Sequence, residues 1–491
     1  MPRDKKFSVI VLVLLLSIPL GVIASQKDTK LEEKIARVEA GLLGAVQIKG
    51  QPLSPMNLSD RMCYYKVPGV SIAVIKDLVI EWAKGYGFKE AGKNSPVLAE
   101  TLFQAASISK PVAALAALRL VQDGVLNLDE DVNAKLLSWK VPENSFTAKK
   151  KVTLRELLSH SAGLTVHGFR GYAQGERVPT LKQILDGEKP SNSAAIRVDI
   201  LPGSQFRYSG GGFTVMQQLL MDIEKKPFPT IMDELVLKPV GMTESTYIQP
   251  LPESRWGSEA LAHGPDGLPV KGKWHTYPEM AAAGLWTTPS DLARFAIVIA
   301  QAWSGKSDKI ISQETAKKML TRQLDPWGLG LQLSGEGESF AFAHGGSNEG
   351  YRCDFVLYPV KGVGVAVMTN GDNGSDLISE IARSVGREYG IADLLPKVKE
   401  VKTIDPNVLD LYVGKYQITP DLILVFTNEN GRLFVAPPGQ LKFGLLPESE
   451  TKFFGQENGV EVTFVKDKNG RFDELLLNFG GSPFQGKRVK Q

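Results

Sequence analysis

Apolar positions recur along the chain with two periods. Between residues 30 and 46, Leu31, Ile35, Val38, Leu42 and Leu43 fall at helical spacing and predict an amphipathic helix. The stretch Val70–Ala83 alternates like two strands around a tight turn at Lys76-Asp77. The run Val112–Val121 is apolar nearly all round and rich in Ala and Leu, which predicts a helix buried inside a large core and stopped at Asp123-Gly124. Val152–Leu164 predicts a short helix with Thr153 and Glu156 as a reciprocal cap and Gly163 as its end. Residues 166–200 read as irregular, 229–243 as a helix ending before Pro239, and 279–295 as a loop leading into a helix capped by Thr288 or Ser290. Gly362–Asn370 reads as a strand and Asp376–Tyr389 as a closing helix.

Past about Leu395 the pattern changes. A connection rich in Lys, Val and Pro precedes short alternating runs punctuated by Asn430-Gly431 and Asn469-Gly470, strong hairpin signals. This predicts a separate small antiparallel sheet or barrel. The chain divides into a leader at 1–24, a main domain at 25–395, a linker at 396–406 and a small β domain at 407–491.

The first residues change the picture of location. Met1–Lys6 is basic, Phe7–Ile23 is uncharged, and small residues stand at Ala24-Ser25. That is the layout of an export signal cleaved after Ala24, which places the protein in the periplasm or outside the cell; the alternative is a retained segment anchoring it to the membrane. Overall charge adds little. The net charge is +3, and the one basic cluster, Lys149-Lys150-Lys151, reads as a solvated loop, so no nucleic-acid partner is expected. The five histidines are scattered without metal-ligand spacing, so no metal and no cofactor are expected. Cys63 and Cys353 could pair in an exported protein or remain free thiols.

Three stretches carry candidate chemistry. Ser107 and Lys110 lie one helical turn apart at the head of the apolar helix. A serine hydroxyl needs a nearby base, and burial lowers a lysine's pKa far enough to supply one. Tyr208 precedes Ser209 and the Gly210–Gly212 triplet, where backbone can pass close to a neighbour. His344-Gly345-Gly346-Ser347 leads into a strand along whose edge a substrate chain could lie. His160, at a helix end, reads as bonding backbone or as catalytic.

In order and spacing, Ser107-Ile-Ser-Lys110, Tyr208-Ser-Gly210 and His344-Gly-Gly346 resemble the serine β-lactamase and penicillin-binding protein superfamily, in its class C-like branch with D-aminopeptidases, carboxypeptidases and family VIII esterases. Leu157–Leu164, Gly284–Leu292 and Asn348–Tyr351 strengthen the resemblance, which spans about residues 30 to 390. It implies an α+β fold: an antiparallel sheet flanked by helices beside an all-helical lobe, with a lipocalin-like β domain appended. It also implies roles. Ser107 would be acylated, Lys110 would take its proton, and Tyr208 would bridge Lys110 and the leaving group. The backbone N–H groups of Ser107 and Ser347 would form the oxyanion hole. His344, Gly345 and Gly346 would bind substrate, with His344 standing where many members carry lysine. Gly210 stands where an asparagine is common, and a histidine titrating near pH 6.5 replaces a permanent charge. Both departures favour a peptidase or esterase over an efficient β-lactamase. The expected substrate is a small molecule or peptide: a D-peptide such as a cell-wall fragment, an ester or a lactam. A penicillin-binding or sensor protein that acylates without turnover is the alternative.

Overall fold

The computed structural model describes residues 20–489 except 325, 420–421, 439–441, 469 and 480–482. The expected export segment falls largely outside these residues, and so does Asn469 of the second Asn-Gly turn. Among the described residues no helix is long and apolar enough to cross a membrane.

The main domain is built on one antiparallel sheet of six strands. In spatial order they are Val79–Gly87, Gly69–Lys76, Val363–Thr369, Tyr351–Tyr358, Ala341–Asn348 and Gln332–Ser334. The Gly69–Lys76 strand is buried on both faces, which explains its unbroken Val/Ile/Ala character. Its hairpin turn is Asp77-Leu78, one residue beyond the expected position; both residues take the left-handed conformation that closes a two-residue hairpin, with φ of 54° and 58°.

One face of the sheet carries the N-terminal helix and the closing helix Gly374–Tyr389. A compact cluster that includes Ile35, Val38, Ile72, Val367, Leu377 and Ile381 packs between them. The N-terminal helix stops at Glu39, short of the expected extent. Leu42 and Leu43 are buried beyond it in extended chain, so their apolar spacing served the core without continuing the helix. The other face meets the helical lobe and the long helix Pro289–Trp303, which is capped by Thr288 through Asp291 N–H. At the centre of that lobe is the helix Ser109–Gln122, with Ser109 to Leu118 and Leu120 all buried. The expected Thr153–Glu156 capping box is present at Leu154–Leu158, which ends at Ser159 rather than at Gly163.

Two other segments differ from expectation. The 229–243 helix does not end before Pro239: a wide π-type turn at Asp233–Leu237 carries the chain into Lys238–Val240, with the proline in the first turn. The 396–406 linker contains a strand, Lys397–Lys399, paired in parallel with Val46–Ile48. Only the fold could show this, because the partner lies about 350 residues upstream.

The C-terminal unit is a closed eight-stranded antiparallel barrel, from Gly414–Thr419 round to Phe484–Arg488. Its interior is aromatic: Tyr412 stacks on Phe464 at 4.2 Å between ring centroids, and Tyr416, Phe426 and Phe453 surround them. Asn430-Gly431 forms its expected turn, with φ of 54° and 74°. The barrel is tied to the main domain at Gln456 and Glu457, whose carbonyls accept from Val46 and Ala45 N–H.

Candidate active site

The chain reaches Ser107 through a strained corner. Strand Phe103–Gln104 pairs with Trp286–Thr287, and the backbone then turns at Ala106, a buried alanine with φ of 48°. A left-handed alanine is unfavourable by about 1 kcal/mol and persists only where its surroundings hold it. Ser109 holds this corner: its hydroxyl donates to Ala106 O at 2.5 Å and accepts from Leu285 N–H at 3.0 Å.

Lys110 follows one turn later. Its Nζ stands 3.0 Å from Ser107 Oγ, 2.8 Å from Ala282 O and 5.0 Å from the centre of the Tyr208 ring. It is 2% exposed, and no carboxylate pairs with it among the described residues. Burial pushes its pKa down to about 7. A neutral amine can then donate one proton to Ala282 O while its lone pair accepts the Ser107 hydroxyl.

Tyr208 comes from the helical lobe. Ser209 caps the helix Gly210–Glu224 through Gly212 N–H, and the triplet lets that helix start against the Thr165–His167 backbone. A side chain at Gly211 would place its Cβ 2.6 Å from Thr165 O. Burial pushes the Tyr208 phenol up to about 12, against the opposing pull of a hydrogen bond with Ser107, so it rests protonated. His160 stacks under it, ring centroids 4.1 Å apart, and accepts Ser209 N–H at its Nδ1. Of the two readings of His160, backbone bonding is the one the geometry shows.

The third wall is the strand Ala341–Asn348. Gln332–Ser334 covers its edge only as far as Ala343, leaving the edge beyond open to a ligand. Gly346 is glycine because the strand presses on the Ser107 corner: a Cβ there would sit 2.3 Å from Ala105 O and 2.5 Å from Cys353 Sγ. Cys353 is a buried free thiol donating to Ala105 O, Cys63 is free and exposed, and the disulfide alternative is not realised.

His344 departs from expectation. Its Nδ1 donates to Gly345 O at 2.6 Å, and its Nε2 is buried without a partner. Burial first, then the Lys110 charge, depresses its pKa to about 3. It is therefore neutral at physiological pH rather than titrating near 6.5, and it offers a substrate carboxylate no positive charge. Ser107, Lys110, Tyr208, His344, Gly345, Gly346 and Ser347 line one open cleft of about 630 Å³.

A model of the Beta-lactamase family matches residues 56–384. The chain belongs to the Beta-lactamase family. It is 23% identical over 429 residues to penicillin-binding protein 4* of Bacillus subtilis, spanning 82% of this chain and 91% of that protein. Among solved structures it shares its fold with the octameric penicillin-binding protein homologue of Pyrococcus abyssi: TM-score 0.59, 24% identity, 88% of this chain and 98% of that one. The D-amino acid amidase of Ochrobactrum anthropi aligns with TM-score 0.55 and 21% identity, over 74% and 98% of the respective chains.

As a Beta-lactamase family member the chain is a serine hydrolase of the β-lactamase and penicillin-binding type. The site also holds residues that sequence reasoning did not single out. Trp327 wedges among His160, Tyr208 and His344, with ring centroids 4.9, 5.7 and 5.4 Å away. His167 and Phe169 form the rim beside it, and Ala282 supplies the carbonyl that orients Lys110. Trp327 lies in no motif, and its role arises only when three distant segments converge.

Proposed function

We propose that this serine hydrolase cleaves an ester or amide bond through an acyl-enzyme on Ser107, and that it does so after export from the cytoplasm. The carrying observation is the Lys110 amine, buried without a counter-charge among the described residues and 3.0 Å from Ser107 Oγ. Ser107 Oγ attacks the substrate carbonyl carbon as its proton passes to Lys110 Nζ. The backbone N–H groups of Ser107 and Ser347 receive the oxyanion. Collapse breaks the bond to the leaving group, which takes a proton from the Tyr208 phenol while Lys110 returns its own to Tyr208. Water then attacks the acyl carbon, gives its proton through the same pair, and releases the acid and free Ser107.

The substrate class follows from what the cleft lacks. A neutral His344 and the absence of an amide at Gly210 disfavour lactams, whose carboxylate needs a cation. Esters and aminoacyl amides fit better, in line with the D-amino acid amidase fold relative. The export reading is supported by the basic, apolar and small-residue succession of Met1–Ser25.

The test is Ser107→Ala assayed on short-chain esters and D-amino-acid amides, with mass mapping of a penicillin or phosphonate adduct on the unsubstituted protein. Turnover is expected to vanish in the variant, and the adduct to map to Ser107. Full turnover by the variant sinks the assignment. A burst that stops after one equivalent identifies a penicillin-binding or sensor protein instead.

A further inference from the structure

The cleft does not end at Ser107. It wraps round the uncovered edge of the Ala341–Asn348 strand to the opposite face of the sheet, where Asp354, Ser375, Ile378 and Ser379 line it. Asp354 stands opposite Gly345 in the strand register, and its Oδ2 lies over that glycine. A Cβ at position 345 would sit 3.0 Å from Oδ2, so any side chain there would crowd the carboxyl. Glycine leaves it accessible from the substrate edge.

Asp354 is the one carboxylate among the described residues lining the cleft. No hydrogen bond or ion pair engages it among the described residues. The nearest cation on its strand, Arg352, is held 2.9 Å from Asp372 and donates to the Asn348 and Tyr351 carbonyls. On the other face of the same strand, His344, the neighbour of Gly345, is neutral and adds no positive charge.

We propose that Asp354 is a specificity-determining residue that receives a cationic, ammonium-type group of the substrate, so that the enzyme prefers esters or amides bearing a positive charge. This rests on the Ser107 acyl-transfer reading and names the substrate class of that same site. A half-buried carboxyl without a partner is disfavoured in its charged form, and a substrate cation supplies the missing partner. In keeping with this, burial pushes the Asp354 carboxyl up to about 7. The same carboxyl repels an anionic substrate, the opposite of what a carboxylate-binding site needs.

The experiment compares kcat/KM within isosteric pairs. The p-nitrophenyl ester of 4-trimethylammoniobutyrate is set against p-nitrophenyl 5,5-dimethylhexanoate, its neutral carbon isostere, which places the charge in the acyl part. Butyrylthiocholine is set against its neutral carbon isostere, which places it in the leaving group. The cationic member is expected to win by about tenfold or more in at least one pair, the scale of an ion pair in a partly screened cleft. Asp354→Asn is expected to bring that ratio close to one. Ratios near one in the unsubstituted enzyme, or a preference that survives Asp354→Asn, overturn the proposal.

A second measurement needs no variant. Butyltrimethylammonium and butyrate are compared as inhibitors of neutral-ester hydrolysis by the unsubstituted enzyme. The cation is expected to inhibit at lower concentration, and the reverse order overturns the proposal. Neutral-ester hydrolysis, and its loss in Ser107→Ala, reports on acyl transfer separately. The charge ratio therefore fails or stands by itself.

Discussion

Two buried cations lie on opposite sides of the sheet. Arg61, 8% exposed, is fully compensated: its guanidinium bonds Glu380 at 2.6 and 2.9 Å, Glu457 of the barrel at 2.8 Å and the Tyr65 hydroxyl at 2.7 Å. Burial alone would depress its pKa, but the two carboxylates outweigh burial and fix the charge. Lys110, 2% exposed, has a hydroxyl and a carbonyl in place of carboxylates, and burial prevails. The same cost of desolvation is thus offset at one place and left standing at the other. Where it is offset, the cation is a permanent tie between the domains. Where it stands, the amine can shed its proton near neutrality and act as a base.

The contrast can be broken from either side. Lys110→Ala is expected to reduce kcat on a neutral ester by about a thousandfold, as expected of a unit that loses its base, while the protein keeps its fold. Steady-state kinetics and circular dichroism check both halves; near-normal turnover would remove Lys110 from the mechanism. Glu380→Ala should do the reverse, because it takes from Arg61 the fully buried one of its two carboxylate partners, on the side of the sheet away from Ser107. A stability loss of about 3 kcal/mol is expected, read by denaturant unfolding, with kcat in the folded protein little altered.

A pH profile sharpens the comparison further. Protonated Lys110 cannot accept the Ser107 proton, so kcat/KM on a neutral ester should fall about tenfold per unit as pH drops below about 7. Above that it should stay level, because the Tyr208 phenol holds its proton to about 12. His344, depressed to about 3, should add no inflection between pH 5 and 9. A second inflection in that window lost in His344→Gln would reverse the assignment of His344 as neutral. The smallest effect concerns the corner before Ser107. Ala106→Gly relieves the left-handed strain at φ 48° and should raise stability by about 1 kcal/mol or less, measured by thermal denaturation.

What the sequence revealed follows the reach of each interaction. The Thr153–Glu156 box, the Asn430-Gly431 turn and the helix after Ser107 are settled within a few residues, and all three are where they were expected. The Ser107, Lys110, Tyr208 and His344 set was found through motif order, and the fold brings it into one cleft. The charge state of His344 was misjudged, because it depends on burial among Trp327, Tyr208 and Lys110, which sequence spacing does not convey. Trp327, the Lys397–Lys399 strand and the cleft face of Asp354 were missed for a related reason. Each takes its meaning from a partner far along the chain, and none carries a local signature.

The parallel pairing of Val46–Ile48 with Lys397–Lys399 has a mechanical consequence. The two strands run in the same direction, so tension applied from the N-terminal side of one and the C-terminal side of the other loads all their hydrogen bonds in shear at once. The barrel is joined differently: its first and last strands, Gly414–Thr419 and Phe484–Arg488, are antiparallel neighbours whose outer ends lie together. Pulled by those ends, they unzip bond by bond. Under stretching the barrel is therefore the unit that opens early, and the short parallel pair is the clasp that keeps the catalytic domain shut behind it.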